Sequence, residues 1–197
     1  MINYLNGKLI IKDPTYVVVD IGGLGYEAKI SLSTFGAIKS LEQVKLYTHL
    51  HIKEDAHTLY GFFDPAEKKR FLDLISISGV GPSTGLMILS SLSPEELQQA
   101  IISENVAVIQ GVKGIGLKTA QRIILELKDK MKKEGLLDKT DELLPKFDNT
   151  LRSEALSALT TLGISKPAAE KSVDLILKEH GQETKLEDLI KLALKRA

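Results

Sequence analysis

Three textures along the 197 residues predict a multidomain α+β chain. Residues 1–63 alternate apolar and polar side chains as strands do. From Asp64 onward apolar residues recur with helical spacing, and a polar stretch at 134–150 that includes Pro145 interrupts that pattern before a last helical segment at 151–197. The expected units are therefore a small β-barrel (1–63), an all-helical domain (64–133), a flexible linker (134–150) and a three-helix domain (151–197).

Within the first unit, strands are expected at Lys8–Lys12, Tyr16–Ile21, Tyr26–Ile30, Val44–Ile52 and Thr58–Phe62, with a short helical piece around Thr34–Ser40. Asp13-Pro14 and Gly22-Gly23-Leu24-Gly25 supply the turns between them. Five short strands and one small helix fit a compact antiparallel barrel of the OB type. Any other small β-barrel satisfies the same periodicity.

The helical region opens on Asp64-Pro65-Ala66-Glu67, with Asp as the cap, Pro at the first helical position and Glu three residues after the cap. Ser93-Pro94-Glu95-Glu96 repeats the signal. Leu117, Ala120, Ile123, Ile124, Leu127 and Met131 then form an apolar stripe of helical period, and Lys118 and Arg122, four apart, fall together beside it. In the last unit, a helix over Leu151–Leu162 stops at Gly163. A second, capped by Ser165-Lys166-Pro167, runs to His180, and Thr184-Lys185-Leu186-Glu187 caps a third.

Inside the helical domain one short stretch occurs twice. Ile77-Ser78-Gly79-Val80-Gly81-Pro82-Ser83-Thr84-Gly85 recurs as Val112-Lys113-Gly114-Ile115-Gly116-Leu117-Lys118-Thr119-Ala120, at an offset of 35 residues. Each copy is a Gly-aliphatic-Gly turn that opens a helix. Glycine leaves backbone N–H groups uncovered, and the first turn of a helix adds unpaired donors and the positive end of its dipole. Such a turn is a place for a phosphate. One copy alone would read equally well as an ordinary helix connection. Two copies in register, with Gly85/Ala120, Ile88/Ile123 and Leu89/Ile124 matched, read as a double helix-hairpin-helix that grips sugar-phosphate backbone without reading bases.

Composition narrows the classes further. The chain has no cysteine, which excludes disulfides, thiolate metal sites and a cysteine nucleophile. No segment reaches the roughly 20 apolar residues of a membrane span, and the N-terminus lacks a secretory pattern, so a cytoplasmic protein is expected. Formal net charge is zero, yet residues 113–133 hold seven lysines and arginines against only Glu126 and Asp129. The basic surplus thus lies on the second copy of the repeat, where a nucleic-acid partner would need it.

Two further patterns carry no chemistry. Gly111–Thr119 imitates a phosphate-binding loop but has the wrong spacing and follows a helical pattern, and Gly79–Gly85 imitates a dinucleotide fingerprint without the preceding strand. The acidic pair Glu54-Asp55, between His51 and His57, leaves three readings open: a metal or acid/base site, a solvated loop tip, or two carboxylates that repel phosphates on a DNA-binding face. No ligand set of recognised spacing surrounds the pair, so neither metal nor cofactor is expected.

Lys53-Glu54-Asp55-Ala56-His57-Thr58-Leu59-Tyr60-Gly61-Phe62, taken with the two glycine turns, closely resembles the RuvA family of bacterial Holliday-junction-binding subunits. The resemblance runs the full length and implies an OB-type barrel, a tandem helix-hairpin-helix domain, a linker and a UBA-like C-terminal domain. It implies a non-catalytic function in recombination, DNA repair and the SOS response to DNA damage. A homotetramer, alone or paired as an octamer, would hold a four-way junction open for branch migration. The hexameric ATPase RuvB would dock on the C-terminal domain, and the resolvase RuvC would join the assembly. Gly79, Gly81, Gly114 and Gly116 would give backbone N–H contacts, Ser83, Thr84 and Thr119 hydroxyls, and Lys118 and Arg122 charge, while Glu54 and Asp55 would form an acidic pin at the crossover. Many relatives carry Lys where this chain has Ser83, so the first hairpin is expected to grip less strongly or to borrow charge. The alternatives are a metal-dependent junction or flap nuclease using Glu54 and Asp55, and a protein-interaction scaffold.

Overall fold

The computed structural model describes the backbone of residues 1–141, 146–180 and 184–196, with side chains for 1–134, 151–178 and 184–196. It forms two compact units, Met1–Glu134 and Gly135–Ala197.

The first unit begins with β1 (Tyr4–Lys12), β2 (Tyr16–Ile21), β3 (Leu24–Ile30), helix α1 (Leu32–Ile38), β4 (Gln43–Ile52) and β5 (His57–Phe62). The strands close a barrel in the order β1-β2-β3-β5-β4. Alternate residues point inward, so Val17 and Val19, Ala28 and Ile30, and Val44 and Leu46 are all buried. Two details differ from the sequence expectation. The contact that joins β3 to β5 is parallel, through Lys29 with Tyr60 and Ile30 with Gly61, while every other pair is antiparallel. α1 and β4 lie between β3 and β5 in the chain, and such a crossover brings two strands together in the same direction. Helix α1 also starts two residues early, because the Ser31 side chain caps the Thr34 N–H.

The β2–β3 turn follows from its residues. Gly22 (φ 61°) and Gly23 (φ 97°) both take positive φ, the requirement of a two-residue type I′ hairpin, and the Gly23 N–H donates to Asp20 Oδ1 at 2.7 Å.

Five helices follow: α2 (Pro65–Ile75), α3 (Pro82–Ser91), α4 (Pro94–Ile102), α5 (Val106–Gln110) and α6 (Leu117–Asp141). Asp64 caps α2 by accepting from the Ala66 N–H, and Ser93 and Glu96 form the full reciprocal box on α4. The predicted stripe on α6 is buried at Ala120, Ile123, Ile124, Leu127 and Met131, whereas Leu117, in the first turn, is half exposed. The helices share one core with Tyr60 and Phe62 of β5, so the barrel and the hairpins pack as a single unit. Arg70, almost fully buried on α2, donates to Asp73 at 3.0 Å, to Glu134 at 2.8 Å and to Gln98 at 3.2 Å, and thereby ties α2 to α4 and α6.

Glu67 is the exception to the capping pattern. It turns inward and is 3% exposed, accepting hydrogen bonds from the hydroxyls of Ser31 and Thr34, and so fastens α2 to the start of α1. Burial pushes its carboxyl above the ordinary range, outweighing the two hydroxyl bonds that pull the other way. A carboxyl with a higher pKa folded than unfolded binds more protons when folded. Stability therefore falls as pH rises from the ordinary carboxylate range through the raised value, and this contribution is constant outside that window. Glu67→Gln is expected to flatten the fall, as read by urea unfolding at stepped pH. A slope identical to wild type would exclude Glu67 as its source.

The second unit holds α7 (Lys146–Thr161), α8 (Lys166–His180) and α9 (Leu186–Arg196) around Ala155, Leu159, Ala169, Val173, Ile176, Leu189 and Ala193. Arg152 pairs with both oxygens of Asp174, at 2.7 and 3.0 Å, and fixes α7 against α8. In the expected linker, 134–150, the backbone is helical to Asp141 and again from Lys146, and residues 142–145 lie outside the described residues. Among the described residues no helix is long and apolar enough to cross a membrane.

Candidate nucleic-acid interface

The two glycine turns have the same construction. In the first, Ile77 and Val80 are buried, the Val80 N–H donates to the Ile77 carbonyl at 3.0 Å, and Gly79 sits at φ 90°. In the second, Val112 and Ile115 are buried, the Ile115 N–H donates to the Val112 carbonyl at 3.1 Å, and Gly114 sits at φ 86°. The aliphatic residue anchors each turn in the core and the glycines face outward. Only glycine takes that φ without strain. Gly81 and Gly116 have no neighbour within 4 Å of where a Cβ would stand, so a ligand can approach the backbone closely.

Helices α3 and α6 start immediately after these turns. Gly81 caps α3 without a side-chain hydrogen bond, so the first-turn N–H groups of Ser83 and Thr84 have no acceptor within the helix. The N–H groups of Leu117, Lys118 and Thr119 stand in the same relation to α6. Donors and dipole together favour an anion at each turn.

A cleft of about 450 Å³ brings much of the predicted set together: Ser78 and Gly79 of the first turn face Lys118, Thr119, Gln121, Arg122 and Leu125 of α6. Arg122 Nη1 donates to the Ser78 carbonyl at 2.9 Å, and its Nε lies 3.6 Å from Glu126. Gly81, Thr84, Gly114 and Gly116 do not line this cleft. Ser83 is exposed and lines a second hollow of about 320 Å³ between the barrel and α3, shared with Tyr16, Lys29, Tyr60, Leu86 and Ser90. Sequence reasoning missed both the reach of Arg122 to the first turn and the proximity of Lys29 to Ser83. Alternation along β3 put Lys29 outside the barrel, but nothing local said that α3 would pack beside it.

Glu54 and Asp55 are exposed at the tip of the β4–β5 hairpin, which the Lys53 N–H closes by donating to the Ala56 carbonyl at 2.8 Å. Neither lines the cleft at the turns. Of the two histidines that flank the pair, His51 packs on Tyr60, with ring centroids 6.4 Å apart, and His57 is exposed. Further along β4, His49 packs on Phe71, at 5.8 Å. Burial, followed by the charges of His51 and Lys68, holds His49 below the ordinary imidazole value. Among the described residues no three His, Asp or Glu side chains gather as metal ligands would. Both carboxylates of the pair stand in solvent on the hairpin tip.

Family models match in three segments: the RuvA N-terminal domain over residues 1–61, a SAM-like helix-hairpin-helix tandem over 71–129, and the RuvA C-terminal domain over 150–197. Relatives named Holliday junction branch migration complex subunit RuvA align along the whole chain. That of Cytophaga hutchinsonii is 60% identical over 197 residues, covering 99% of each protein. Those of Christiangramia forsetii (55% over 196 residues) and Bacteroides fragilis (46% over 202) cover 100% of both proteins. Matches at both ends and full-length identities of this size leave one assignment: the chain belongs to the RuvA family.

Proposed function

We propose that this protein binds four-way DNA junctions by their shape and backbone, without catalysis, and holds them open for branch migration driven by a separate ATPase. The observation that carries the proposal is the matched pair of outward glycine turns, each leading into the uncapped start of a helix, with Lys118 and Arg122 beside them. Residues 64–133 are the clamp, using the N–H groups around Gly79, Gly81, Gly114 and Gly116, the hydroxyls of Ser83, Thr84 and Thr119, and the charges of Lys118 and Arg122. Two phosphate clamps on one subunit suit one duplex arm, and four subunits arranged around a centre suit four arms. Residues 1–63 present Glu54 and Asp55 as the pin at the crossing, where carboxylates repel the strands' phosphates. The three helices of 151–197 dock the hexameric motor RuvB. The names of the relatives support this reading, which places the protein in the cytoplasm beside the chromosome.

The test compares a synthetic immobile junction with linear duplex of the same sequence at matched salt. Tighter binding to the junction is expected, weakening with salt at a log-log slope of about −0.9 for each phosphate neutralised. Glu54→Gln/Asp55→Asn is expected to keep or raise junction affinity while changing strand separation, as read by base-analogue fluorescence at the crossover. Equal affinity for junction and duplex would defeat the proposal, and a large loss of affinity in the double variant would assign the pair a structural role.

A further inference from the structure

The two hairpins exchange side chains across the repeat. The offset of 35 that superposes Gly79 on Gly114 also superposes Met87 on Arg122. A Cβ placed on Gly79 would meet Arg122 Nη1 at 3.8 Å, and one placed on Gly114 would meet Met87 Sδ at 3.5 Å. Each turn is therefore roofed by a side chain from the other hairpin, sent from the same repeat position.

The exchange is symmetric in geometry and asymmetric in charge. The second turn has cations of its own, Lys113 within it and Lys118 on the helix that follows, and the visiting side chain is the uncharged thioether of Met87. At the first turn the residue at the position of Lys118 is Ser83, and the visitor is the guanidinium of Arg122. The first turn has no cation of its own at the positions of Lys113 and Lys118, and the second hairpin sends Arg122 onto it, with Lys118 in the same cleft.

We infer that Arg122, although it belongs to the second hairpin, is the phosphate-binding cation of the first. This rests on the reading of the turns as phosphate clamps. A guanidinium has five N–H donors, and the bond to the Ser78 carbonyl uses one. That bond holds the charged group over Gly79 while leaving donors for a phosphate. The groups facing Arg122 do not cancel it. Glu126 lies 3.6 Å from Nε, but both side chains are about half exposed, and an exposed pair of this kind contributes little and yields to a phosphate.

The experiment uses the full-length chain and an immobile four-way junction, with dissociation constants measured across a salt series. Arg122→Met copies the residue at the equivalent position, and its exposure and helix propensity predict retained folding, which a thermal melt checks. Its log-log salt slope is expected to lose about 0.9 for each phosphate contact removed. Adding Ser83→Lys to Arg122→Met returns the cation from the turn's own helix and is expected to restore the slope. Lys118→Met is the reference for the underlying reading. If Lys118→Met flattens the slope and Arg122→Met does not, or if Ser83→Lys fails to restore what Arg122→Met removes, the inference is overturned while the clamp stands. If Lys118→Met also leaves the slope unchanged, the clamp reading falls and takes the inference with it.

Discussion

Valine at both Gly79 and Gly114 is expected to lower junction affinity at least about a hundredfold, equivalent to about 2.7 kcal/mol. The two residues sit at φ 90° and 86°, where a β-branched side chain is a steric outlier. Space is not the obstacle, since the nearest atoms to an added Cβ lie at 3.8 and 3.5 Å. The obstacle is conformation, at a cost of roughly 1–3 kcal/mol for each turn. A turn relieves that strain by flipping to negative φ, which redirects the N–H groups that the proposed function assigns to phosphate. Val80 and Ile115 remain buried, so the helices should persist by circular dichroism while binding, measured by fluorescence anisotropy, is lost. Gly36→Ala, in open space at negative φ, serves as the control. Binding by the double valine variant within about threefold of wild type would show that turn conformation does not set affinity.

Phe71→Ala is expected to destabilise the first unit by about 3–5 kcal/mol. Phe71 is fully buried and lies at the centre of an aromatic group, with Phe62 at 4.8 Å, Tyr60 at 5.1 Å and His49 at 5.8 Å. Gly85 approaches the ring so closely that a Cβ there would stand 3.2 Å from its Cδ2. It therefore fills the space between β5 of the barrel and α3 of the first hairpin, and the truncated site cannot collapse without moving one of them. That loss is a large share of the roughly 5–15 kcal/mol that keeps a domain folded. In urea unfolding of the full chain, only the transition of residues 1–134 should shift, because the last three helices have a core of their own. A loss below about 1 kcal/mol would mean that the ring is not the junction between barrel and hairpins.

The parts of this architecture legible in the residues are those encoded locally. Alternation at Val44-Lys45-Leu46 marks an inner barrel face, because a strand's side chains change sides at each step. Ser93 and Glu96 announce the start of α4, since a reciprocal cap lies within one helical turn. The duplicated turns are visible as a repeat, and their glycines imply the positive φ found at Gly79 and Gly114. Leu117 breaks the α6 stripe because it occupies the first turn of the helix, beside the outward Gly116, and is half exposed.

Other features depend on which distant surfaces meet. Glu67 looked like half of a capping box until the packing of α2 on α1 placed the hydroxyls of Ser31 and Thr34 against it, 36 and 33 residues away in the chain. The parallel contact of β3 with β5 is set by barrel closure, and the proximity of Lys29 to Ser83 by the docking of α3 on the barrel. By itself the sequence determined the strands of the barrel and the two glycine turns that open helices, all properties of a few consecutive residues. The tertiary structure alone decided that Arg122 covers Gly79 while Met87 covers Gly114. Such an exchange exists only once the two hairpins pack together, because the side chain that covers each turn comes from the other hairpin, Arg122 for Gly79 and Met87 for Gly114.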